Sequence, residues 1–384
     1  MKIVTLYNPI IDRGGISVSY INIANTLLKK YPNTIFHLLV NQKEIPKIKK
    51  NKNIKIINIK NFSRIPFEKI LNWGKYLSSV KSILGILIYL IKYNPDYFVS
   101  FQGHFVVVVC KIITNKKTVF ISRENTVIGE NFKFFDQSLY KFRIAIKKFT
   151  YKNSEKVVTL TDEATNYSSN LLNLPKNKFI GIGNISLEDD DEQKEFTNKP
   201  NKKNPNIICV SRISREKGID LIIKSFALLP KNLNARLIIV GNGSYLKEAK
   251  ELAKKLGVFE KCIFEGWIGE SKKISQLIST SDVFLSASLF EGFGNSIIEA
   301  IKCKTLVIST DVPFGPREIL EKGKNGILIK NDHNLMFEMA KKIEFAINNP
   351  DISKKYTERA YKSLSRYKAE KIGEKWGEIL NLNN

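Results

Sequence analysis

Cysteine and histidine are scarce in this chain of 384 residues, which contains four cysteines and three histidines. No two cysteines have the spacing of metal ligands, and no Ser/His/Asp or Cys/His set that could activate a nucleophile is recognisable. The sequence therefore argues against a structural zinc site and predicts buried thiols in a reducing compartment. The cysteines are Cys110, Cys209, Cys262 and Cys303.

Long hydrophobic runs are also absent. The longest uncharged apolar run, residues 82–91, is far short of the roughly 20 residues that cross a bilayer. Residues 1–7 are short and apolar and look like a first β-strand, not a signal peptide. We therefore expect a cytoplasmic protein without a transmembrane segment.

Acidic residues are outnumbered, with 37 Asp and Glu against 62 Lys and Arg, for a formal net charge of +25. The excess is uneven, because residues 1–186 hold 29 basic and 10 acidic residues and the remainder hold 33 and 27. A basic half suits an acidic partner such as nucleic acid, anionic lipid or a phosphorylated substrate. A lysine-rich background composition explains the same excess, so both interpretations stay open.

Short apolar runs alternate with longer helical patterns throughout the chain. This βαβα order is typical of parallel sheets covered on both faces, and the length favours two such domains. The predicted strands are residues 3–7, 35–40, 54–59, 97–101, 118–121, 157–160 and 179–182 in the first half, and 207–210, 236–240, 262–264, 283–286, 306–309 and 326–329 in the second.

The segment between the two halves, residues 186–206, has no apolar period and predicts an exposed connection. It contains an acidic run at residues 188–192, which could be mistaken for a D-x-D metal-binding motif. That motif belongs at a strand end inside a core domain. We therefore interpret the run as a solvated loop.

Two glutamates with seven residues between them are the strongest chemical signal. Glu291 lies in a glycine-rich turn after a predicted strand, and Glu299 is predicted about two turns into the next helix. Residues 293–296 would present backbone N–H groups at the start of that helix, where anions bind. A carboxylate beside an anion site suits a ligand with both hydroxyls and phosphates, such as a sugar nucleotide.

Two cations are placed to neutralise such a ligand. Arg212 follows a predicted strand and Lys217 opens the next predicted helix, so both lie at the carboxyl edge of a sheet, where α/β proteins bind ligands. A departing nucleoside diphosphate carries negative charge that fixed cations can stabilise in place of a metal. Gly14 and Gly15 follow the first strand in the same way and permit close approach to a phosphate.

These motifs, together with segments 240–243, 264–267 and 315–319, occur in the order found in family-4 retaining glycosyltransferases of GT-B fold. The chain resembles that family, including bacterial surface-polysaccharide enzymes. The resemblance implies an α/β, GT-B architecture of two Rossmann-like domains with the active-site cleft between them. The implied parts are an acceptor-side domain (1–186), a linker (187–205), a nucleotide-sugar domain (206–365) and a C-terminal helix (366–384) that returns to the first domain, with Trp376 buried.

The resemblance also implies residue roles. Arg212 and Lys217 contact the diphosphate, and Glu299 accepts hydrogen bonds from the ribose. Glu291 lies near the donor sugar, and the main chain at 267–268 contacts the base. The implied substrate-binding residues are Gly14, Gly15, Arg212, Lys217, Gly243, Trp267, Ile268, Glu291, Phe293, Gly294, Asn295, Ser296 and Glu299. The implied catalytic residues are Glu291, Arg212, Lys217 and Asn125.

The sequence departs from the family at one place. Many members have a histidine after a central strand of the first domain, where this chain has Arg123, Glu124 and Asn125. A subset of the family carries such a segment. His104 is another candidate, although a histidine there is equally a helix-start residue. Asn184 matches an asparagine that precedes the family's linker, or is an ordinary turn residue.

We therefore expect a retaining, metal-independent glycosyltransferase without a cofactor. It would move a sugar from a nucleotide donor, expected to be UDP-linked, to a glycan or lipid-linked acceptor of lipopolysaccharide or capsule. A UDP-sugar 2-epimerase of the same fold is an alternative that the glutamate spacing disfavours. A nucleic-acid-binding protein is another, but such proteins have a compact basic stripe with exposed aromatics, and here the lysines are dispersed.

Residues 67–92 combine lysines with many apolar residues, and this predicts docking on an anionic membrane surface. The protein would then be peripheral at the inner face of the cytoplasmic membrane. The alternative is that this helix packs in the core and its lysines face water. The lysines are Lys69, Lys75, Lys81 and Lys92.

Overall fold

The computed structural model describes residues 1–12, 14–42, 45, 48, 52–59, 74–129, 139–187 and 204–382, with the backbone alone at 74–81. The acidic run at 188–192 and residues 67–73 of the predicted membrane segment lie outside these ranges. The chain divides into two compact units. Unit 1 comprises Met1–Ile185 and Ala369–Asn384, and unit 2 comprises Ser186–Lys368.

Unit 1 contains a parallel sheet of seven strands in the order β3-β2-β1-β4-β5-β6-β7. The strands are β1 Ile3–Tyr7, β2 Ile35–Val40, β3 Ile54–Asn58, β4 Tyr97–Ser100, β5 Val119–Arg123, β6 Lys156–Thr159 and β7 Phe179–Gly181. The helices described in this unit are α1 Gly15–Lys30, α2 Gly74–Tyr93, α3 His104–Thr114, α4 Tyr140–Lys152, α5 Asp162–Leu172 and, at the end of the chain, α13 Ala369–Ile379.

Both faces of this sheet are covered, which is why its central strands are apolar on both sides. One face packs with α1 and α13, and Trp376 of α13 is fully buried with its ring stacked near Phe101. The other face packs with α2 and α3 through residues such as Tyr89 and Val108. Helix α13, from the C-terminal part of the sequence, therefore completes the core of unit 1.

Unit 2 contains a second parallel sheet, of six strands in the order β10-β9-β8-β11-β12-β13. Its strands are β8 Asn206–Val210, β9 Arg236–Val240, β10 Cys262–Gly266, β11 Val283–Ser286, β12 Leu306–Thr310 and β13 Ile327–Ile329. Its helices are α6 Ile219–Ala227, α7 Leu246–Lys255, α8 Ser271–Ser279, α9 Asn295–Lys302, α10 Gly315–Ile319, α11 Leu335–Asn348 and α12 Pro350–Ser363.

Each of the thirteen predicted strands is present, and the α/β class is confirmed. Two local expectations were wrong. Strand β5 continues to Arg123 instead of ending at residue 121, because the side chain of Arg123 finds buried partners. Helix α9 begins at Asn295, after Gly294 with φ of 100°, so Glu299 lies about one turn into it and not two.

The four cysteines are free and buried, as predicted. Burial raises the pKa of Cys209 and Cys262 to about 12, so both thiols are protonated at neutral pH. Within the described ranges, no helix combines the length and the apolar character that crossing a membrane requires.

Candidate active site

The strand order of unit 2 creates a crevice at one point of its sheet. The first strand, β8, lies beside the fourth, β11, so the chain leaves these two neighbours in opposite directions. Ligands of open α/β sheets bind at such a switch point, outside the carboxyl ends of the strands. The segments that follow are residues 211–218 after β8 and residues 287–294 after β11.

An ion pair joins these two segments. The Nζ atom of Lys217 lies 2.5 Å from Oε2 of Glu291, and the two side chains are 18% and 20% exposed. Both residues line a small pocket at the strand ends. The structure thus brings together a predicted cation and a predicted carboxylate that are 74 residues apart in the chain. The other lining residues include Ser211, Ser286, Ser288 and Ser296.

A glycine allows the two segments to approach so closely. Lys217 ends a short 3-10 turn, and Gly218 follows with φ of 63°, where a side chain is disfavoured. A Cβ atom on Gly218 would lie 2.0 Å from the carbonyl oxygen of Ala287. Glycine at this position therefore lets the turn that carries Lys217 lie against the end of β11.

Glu216 is a site residue that the sequence reasoning missed. Its buried carboxylate accepts a hydrogen bond from Ser214 Oγ at 2.7 Å and lies 3.5 Å from the guanidinium of Arg212. Its carbonyl oxygen accepts a hydrogen bond from the amide of Leu289 at 2.8 Å. Glu216 therefore orients Arg212, whose side chain is 70% exposed, and ties the β8 segment to the β11 segment. Its position between two predicted functional cations was the available signal.

The glycine-rich turn after Glu291 is fixed from the other side. Phe293 is buried and its ring meets that of Tyr367 edge to face at 5.3 Å. A Cβ atom on Gly315 would lie 1.9 Å from the carbonyl oxygen of Phe293. Phe314 adopts φ of 78°, a strained conformation for phenylalanine, and pairs as an isolated parallel bridge with Glu291. The turn is thus held by packing before any ligand arrives.

Helix α9 begins directly after this turn. Gly294 is its N-cap residue and supplies no side-chain cap. Asn295 and Ser296 occupy the first helical positions, where amides suited to anion binding lie. Glu299 is exposed to solvent. Desolvation by the surrounding protein nevertheless raises the pKa of its carboxyl group, and the charge of Lys302 opposes this shift. It is placed one turn along the helix from these amides.

The segments after β9 and β10 extend the same edge of the sheet. Gly243 packs so tightly that a Cβ atom there would lie 2.1 Å from the carbonyl oxygen of Ile213, so it docks the β9 loop on the β8 loop. Trp267 is exposed and Ile268 half-buried directly after β10. Because β10 is two strands from β8, these residues lie roughly 10 Å along the sheet edge from the β8 segment.

In unit 1, Gly14 and Gly15 lie where helix α1 begins. Gly14 is its N-cap residue, and the Gly14 amide donates a hydrogen bond to Asp12 Oδ1 at 2.9 Å. Ser17 Oγ donates to the same oxygen at 2.7 Å. The Gly14 amide, which the sequence predicted to approach a phosphate, therefore already donates its hydrogen bond to Asp12. Gly15 is the first helical residue and is exposed.

The segment that replaces the family histidine forms a buried network. Arg123 is fully buried over the ring of Phe101, and its Nη2 donates to Asn184 Oδ1 at 2.6 Å. Desolvation lowers the pKa of Arg123 to about 9. Asn125 donates to the carbonyl oxygen of Phe101 at 2.7 Å and accepts from Arg123. Asn184 is thus a buried anchor and not a turn residue, and the amide of Asn125 is held by protein atoms.

Glu124 points into a different network. Its carboxylate bonds to Lys147 Nζ, Tyr151 OH and the hydroxyl of Thr126, the last at 2.8 Å. Burial alone would raise the pKa of Glu124, but Lys147, His104 and the hydrogen bonds lower it to about 2. His104 begins α3, is buried against Ser100, and has a pKa lowered to about 3 by desolvation. It is therefore neutral at physiological pH.

Comparison with known proteins supports the interpretation of unit 2. The model of the family described as glycosyl transferases group 1 matches residues 190–363, which include the Lys217–Glu291 pair. The match covers nearly all of unit 2, which therefore resembles this glycosyltransferase family. The matched region contains the predicted residues of unit 2 but none of those in unit 1.

Two relatives with named functions are glycosyltransferases of bacteria. The chain is 28% identical over 248 residues to the amylovoran biosynthesis glycosyltransferase AmsD of Erwinia amylovora, covering 64% of this chain and 68% of that protein. It is 30% identical over 192 residues to the N-acetylgalactosamine-N,N'-diacetylbacillosaminyl-diphospho-undecaprenol 4-α-N-acetylgalactosaminyltransferase of Campylobacter jejuni, covering 50% of this chain and 48% of that protein. The chain thus spans about two thirds of the first relative and about half of the second.

A solved structure extends the likeness to the whole fold. HepE of Anabaena, solved in complex with UDP, superposes with a TM-score of 0.73 over 99% of this chain and 100% of that one, at 17% identity. At this identity the likeness concerns the fold. It confirms the expected GT-B fold of two Rossmann-like domains.

Proposed function

We propose that the protein is a retaining glycosyltransferase that uses a UDP-linked sugar. The observation that supports this most is the Lys217–Glu291 pair at the switch point of unit 2, with the start of helix α9 beside it. The likeness to HepE, which was solved with UDP, supports the nucleotide. A cation for the diphosphate, a carboxylate for the sugar and helix amides for phosphate oxygens are then adjacent.

The residues have separate roles in the proposed reaction. The bond from the sugar's anomeric carbon to the β-phosphate oxygen breaks, and its electron pair leaves on the diphosphate. Lys217 and Arg212 stabilise the negative charge that develops there, and fixed positive charge at this point lowers the barrier. Glu291 holds Lys217 in place and orients the donor sugar. The acceptor hydroxyl passes its proton to the leaving diphosphate oxygen as its own oxygen bonds to the anomeric carbon.

We further propose a glycan or lipid-linked acceptor in bacterial surface-polysaccharide synthesis. The named functions of AmsD and of the Campylobacter enzyme support this class of acceptor. An undecaprenol-linked acceptor would place the enzyme at the membrane, as the positive charge of residues 1–186 favours. The protein would then be peripheral at the inner face of the cytoplasmic membrane.

Metal independence gives a direct test. In the described ranges, no three His, Cys, Asp or Glu side chains are grouped to hold a metal ion, and two cations are available instead. We expect UDP release from the donor to continue at an unchanged rate in excess EDTA. The control is a D-x-D glycosyltransferase assayed in parallel, which should lose activity. Loss of activity in this protein, restored by manganese or magnesium, would contradict the proposed role of Lys217 and Arg212.

Replacing Glu299 should affect UDP binding, whereas replacing Glu291 should mainly affect turnover. Glu299→Ala is expected to weaken UDP binding about tenfold, because a bidentate ribose contact is present with donor and free UDP alike. Glu291→Ala should lower kcat more than it weakens UDP binding. Calorimetry with UDP and donor-turnover kinetics measure the two effects. Glu338→Ala, an exposed glutamate of the same unit, is the matched control. Unchanged UDP affinity in the Glu299 variant would refute the ribose assignment.

Two other functions are distinguishable by simple assays. A UDP-sugar 2-epimerase would convert the donor into its epimer without an acceptor, which chromatography of the products detects. A nucleic-acid-binding protein would be stabilised by single-stranded DNA and not by UDP in a thermal-shift assay. We expect stabilisation by UDP and sugar transfer that needs an acceptor.

A further inference from the structure

Three neighbouring helices of unit 1 expose apolar side chains. Helix α3 packs against both α2 and α4. Of the 19 large hydrophobic side chains exposed in the described ranges, nine belong to these helices or to the residue before α4. Isolated exposed apolar residues are ordinary, but such a concentration marks an interaction surface. The nine are Leu84, Ile88, Ile91, Phe105, Ile112, Ile113, Leu139, Phe142 and Phe149.

The exposed residues of α3 and α4 form one continuous surface. Phe105 and Ile112 are seven residues apart on α3, and Phe142 and Phe149 are seven apart on α4, so each pair shares a helix face. The rings of Phe105 and Phe149 are in contact, with centroids 6.1 Å apart, which joins the two helices. We call this the α3–α4 surface. It comprises Phe105, Ile112, Ile113, Lys141, Phe142, Lys148 and Phe149.

Charge on these helices has one sign. Together α2, α3 and α4 contain nine lysines and arginines and no aspartate or glutamate. On α4, exposed Lys141 and Lys148 each precede an exposed phenylalanine, Phe142 and Phe149, so a row of cations runs beside a row of rings along the helix. Phe142 is the most exposed of the rings, at 63%. Aromatic rings with lysines around them are typical of helices that lie in the interface of an anionic membrane.

The charge also argues against the other occupants of such a surface. In a symmetric dimer through this face, the lysines of one copy would meet those of the other, and like charges repel. A neutral apolar partner would leave the lysines without counter-charges. The phosphates of an anionic bilayer supply counter-charges at the depth at which rings are buried.

We propose that the α3–α4 surface docks on the anionic headgroup layer of a lipid bilayer. Phe142 and Phe149 enter the interface, and Lys141 and Lys148 pair with lipid phosphates. The proposed surface therefore lies on α3 and α4 and not on segment 67–92, which the sequence predicted to dock on the membrane. Within that segment, Ile86 and Leu90 pack in the core. The inference deepens the proposed function and rests on it for its purpose, because a lipid-linked acceptor would be met at this surface.

The test is co-sedimentation of the full-length protein with vesicles of phosphatidylglycerol and phosphatidylcholine, against phosphatidylcholine alone. We expect binding to the anionic vesicles, and weaker binding as salt increases. Lys141→Glu with Lys148→Glu should reduce the vesicle affinity on the order of 30-fold. Phe142→Ser with Phe149→Ser should reduce it about tenfold. The matched control is Phe337→Ser with Phe345→Ser on α11, two exposed rings on a helix that contains acidic residues, with a change below about twofold.

UDP binding, measured on the same samples, separates this inference from the proposed function. We expect all three variants to bind UDP as the unmodified protein does. Full vesicle binding by both α4 variants would overturn the docking surface while leaving the glycosyltransferase proposal intact. An equal loss in the α11 control would overturn it as well. So would a dimer, seen by analytical ultracentrifugation, that the Lys141 and Lys148 changes dissociate. Intact vesicle binding without UDP binding would instead contradict the proposed function.

Discussion

Replacing either Lys217 or Arg212 by alanine is expected to lower turnover by about a hundredfold or more. Removing one preorganised donor from a site of developing charge costs about 2.7–4 kcal/mol of transition-state stabilisation. Lys217 lies at the switch point beside Glu291, and Arg212 is oriented by Glu216 on the same segment. Steady-state kinetics of UDP release with a saturating donor measure the effect.

Because Lys217 pairs with Glu291, its removal also releases that carboxylate. Adding Glu291→Gln to the Lys217→Ala variant separates the two effects. If Lys217 acts on the diphosphate, the double variant should be no faster than the single one. If Lys217 only holds Glu291, removing the negative charge should restore part of the rate.

Lys224→Ala is the matched control, because Lys224 is a paired lysine of α6 in the same unit, 3.1 Å from Asp220. Its kinetics should change by less than about twofold. Near-normal turnover in both Arg212→Ala and Lys217→Ala would rule out the assigned role of these cations and, with it, the metal-free mechanism.

Replacing Glu124 by glutamine should destabilise unit 1 by about 3 kcal/mol. Breaking a buried ion pair costs about 3–5 kcal/mol, and the lower value applies because the side chain of Lys147 is 24% exposed and can reach water. For a unit of this size the unfolding temperature should fall by roughly 6–12 °C. Thermal and urea unfolding monitored by circular dichroism measure the change.

Glu374→Gln is a matched control in the same unit. Glu374 also pairs with a lysine, Lys30 at 3.2 Å, but its side chain is 52% exposed. An exposed pair contributes about 0–1 kcal/mol, so this variant should unfold near the unmodified protein. Equal stabilities of the two variants would contradict the importance of the buried network.

The same network makes unit 1 sensitive to acid. The pKa of Glu124 is lowered from 4.5 to about 2, so its contribution is complete above pH 4.5 and is lost as the pH falls towards 2. The pKa of His104 is lowered from 6.5 to about 3, so the unfolded chain binds that proton more readily and stability decreases from pH 6.5 downwards. In Glu124→Gln the loss below pH 4.5 should become smaller.

Strand positions could be predicted from the sequence because buried parallel strands are continuous apolar runs, which are easily recognised. The end of β5 could not be predicted in this way. Arg123 has the polarity of a loop residue, and its place in the strand depends on Asn184, which is 61 residues away. The start of α9 was also misplaced, because the residues after Glu291 permit helix and only the positive φ of Gly294 sets its first residue.

The candidate site was predictable to a different degree in each unit. Arg212, Lys217 and Glu291 were found because the ends of parallel strands share an edge. Glu216 was not predicted, because its position between two cations was the only signal and the burial of its carboxylate depends on the fold. In unit 1, the engagement of the Gly14 amide by Asp12 is a matter of loop geometry that no spacing in the sequence expresses.

The return of the last residues to unit 1 has a consequence for synthesis on the ribosome. Unit 2 is one continuous stretch, so it can fold as soon as it emerges. Unit 1 emerges first, yet its sheet lacks the cover of α13, with Trp376, until residues 369–379 have been synthesised. An unfinished apolar face is therefore exposed throughout the elongation of unit 2. We therefore expect the final packing of unit 1 to follow the synthesis of unit 2, although most of unit 1 is synthesised first.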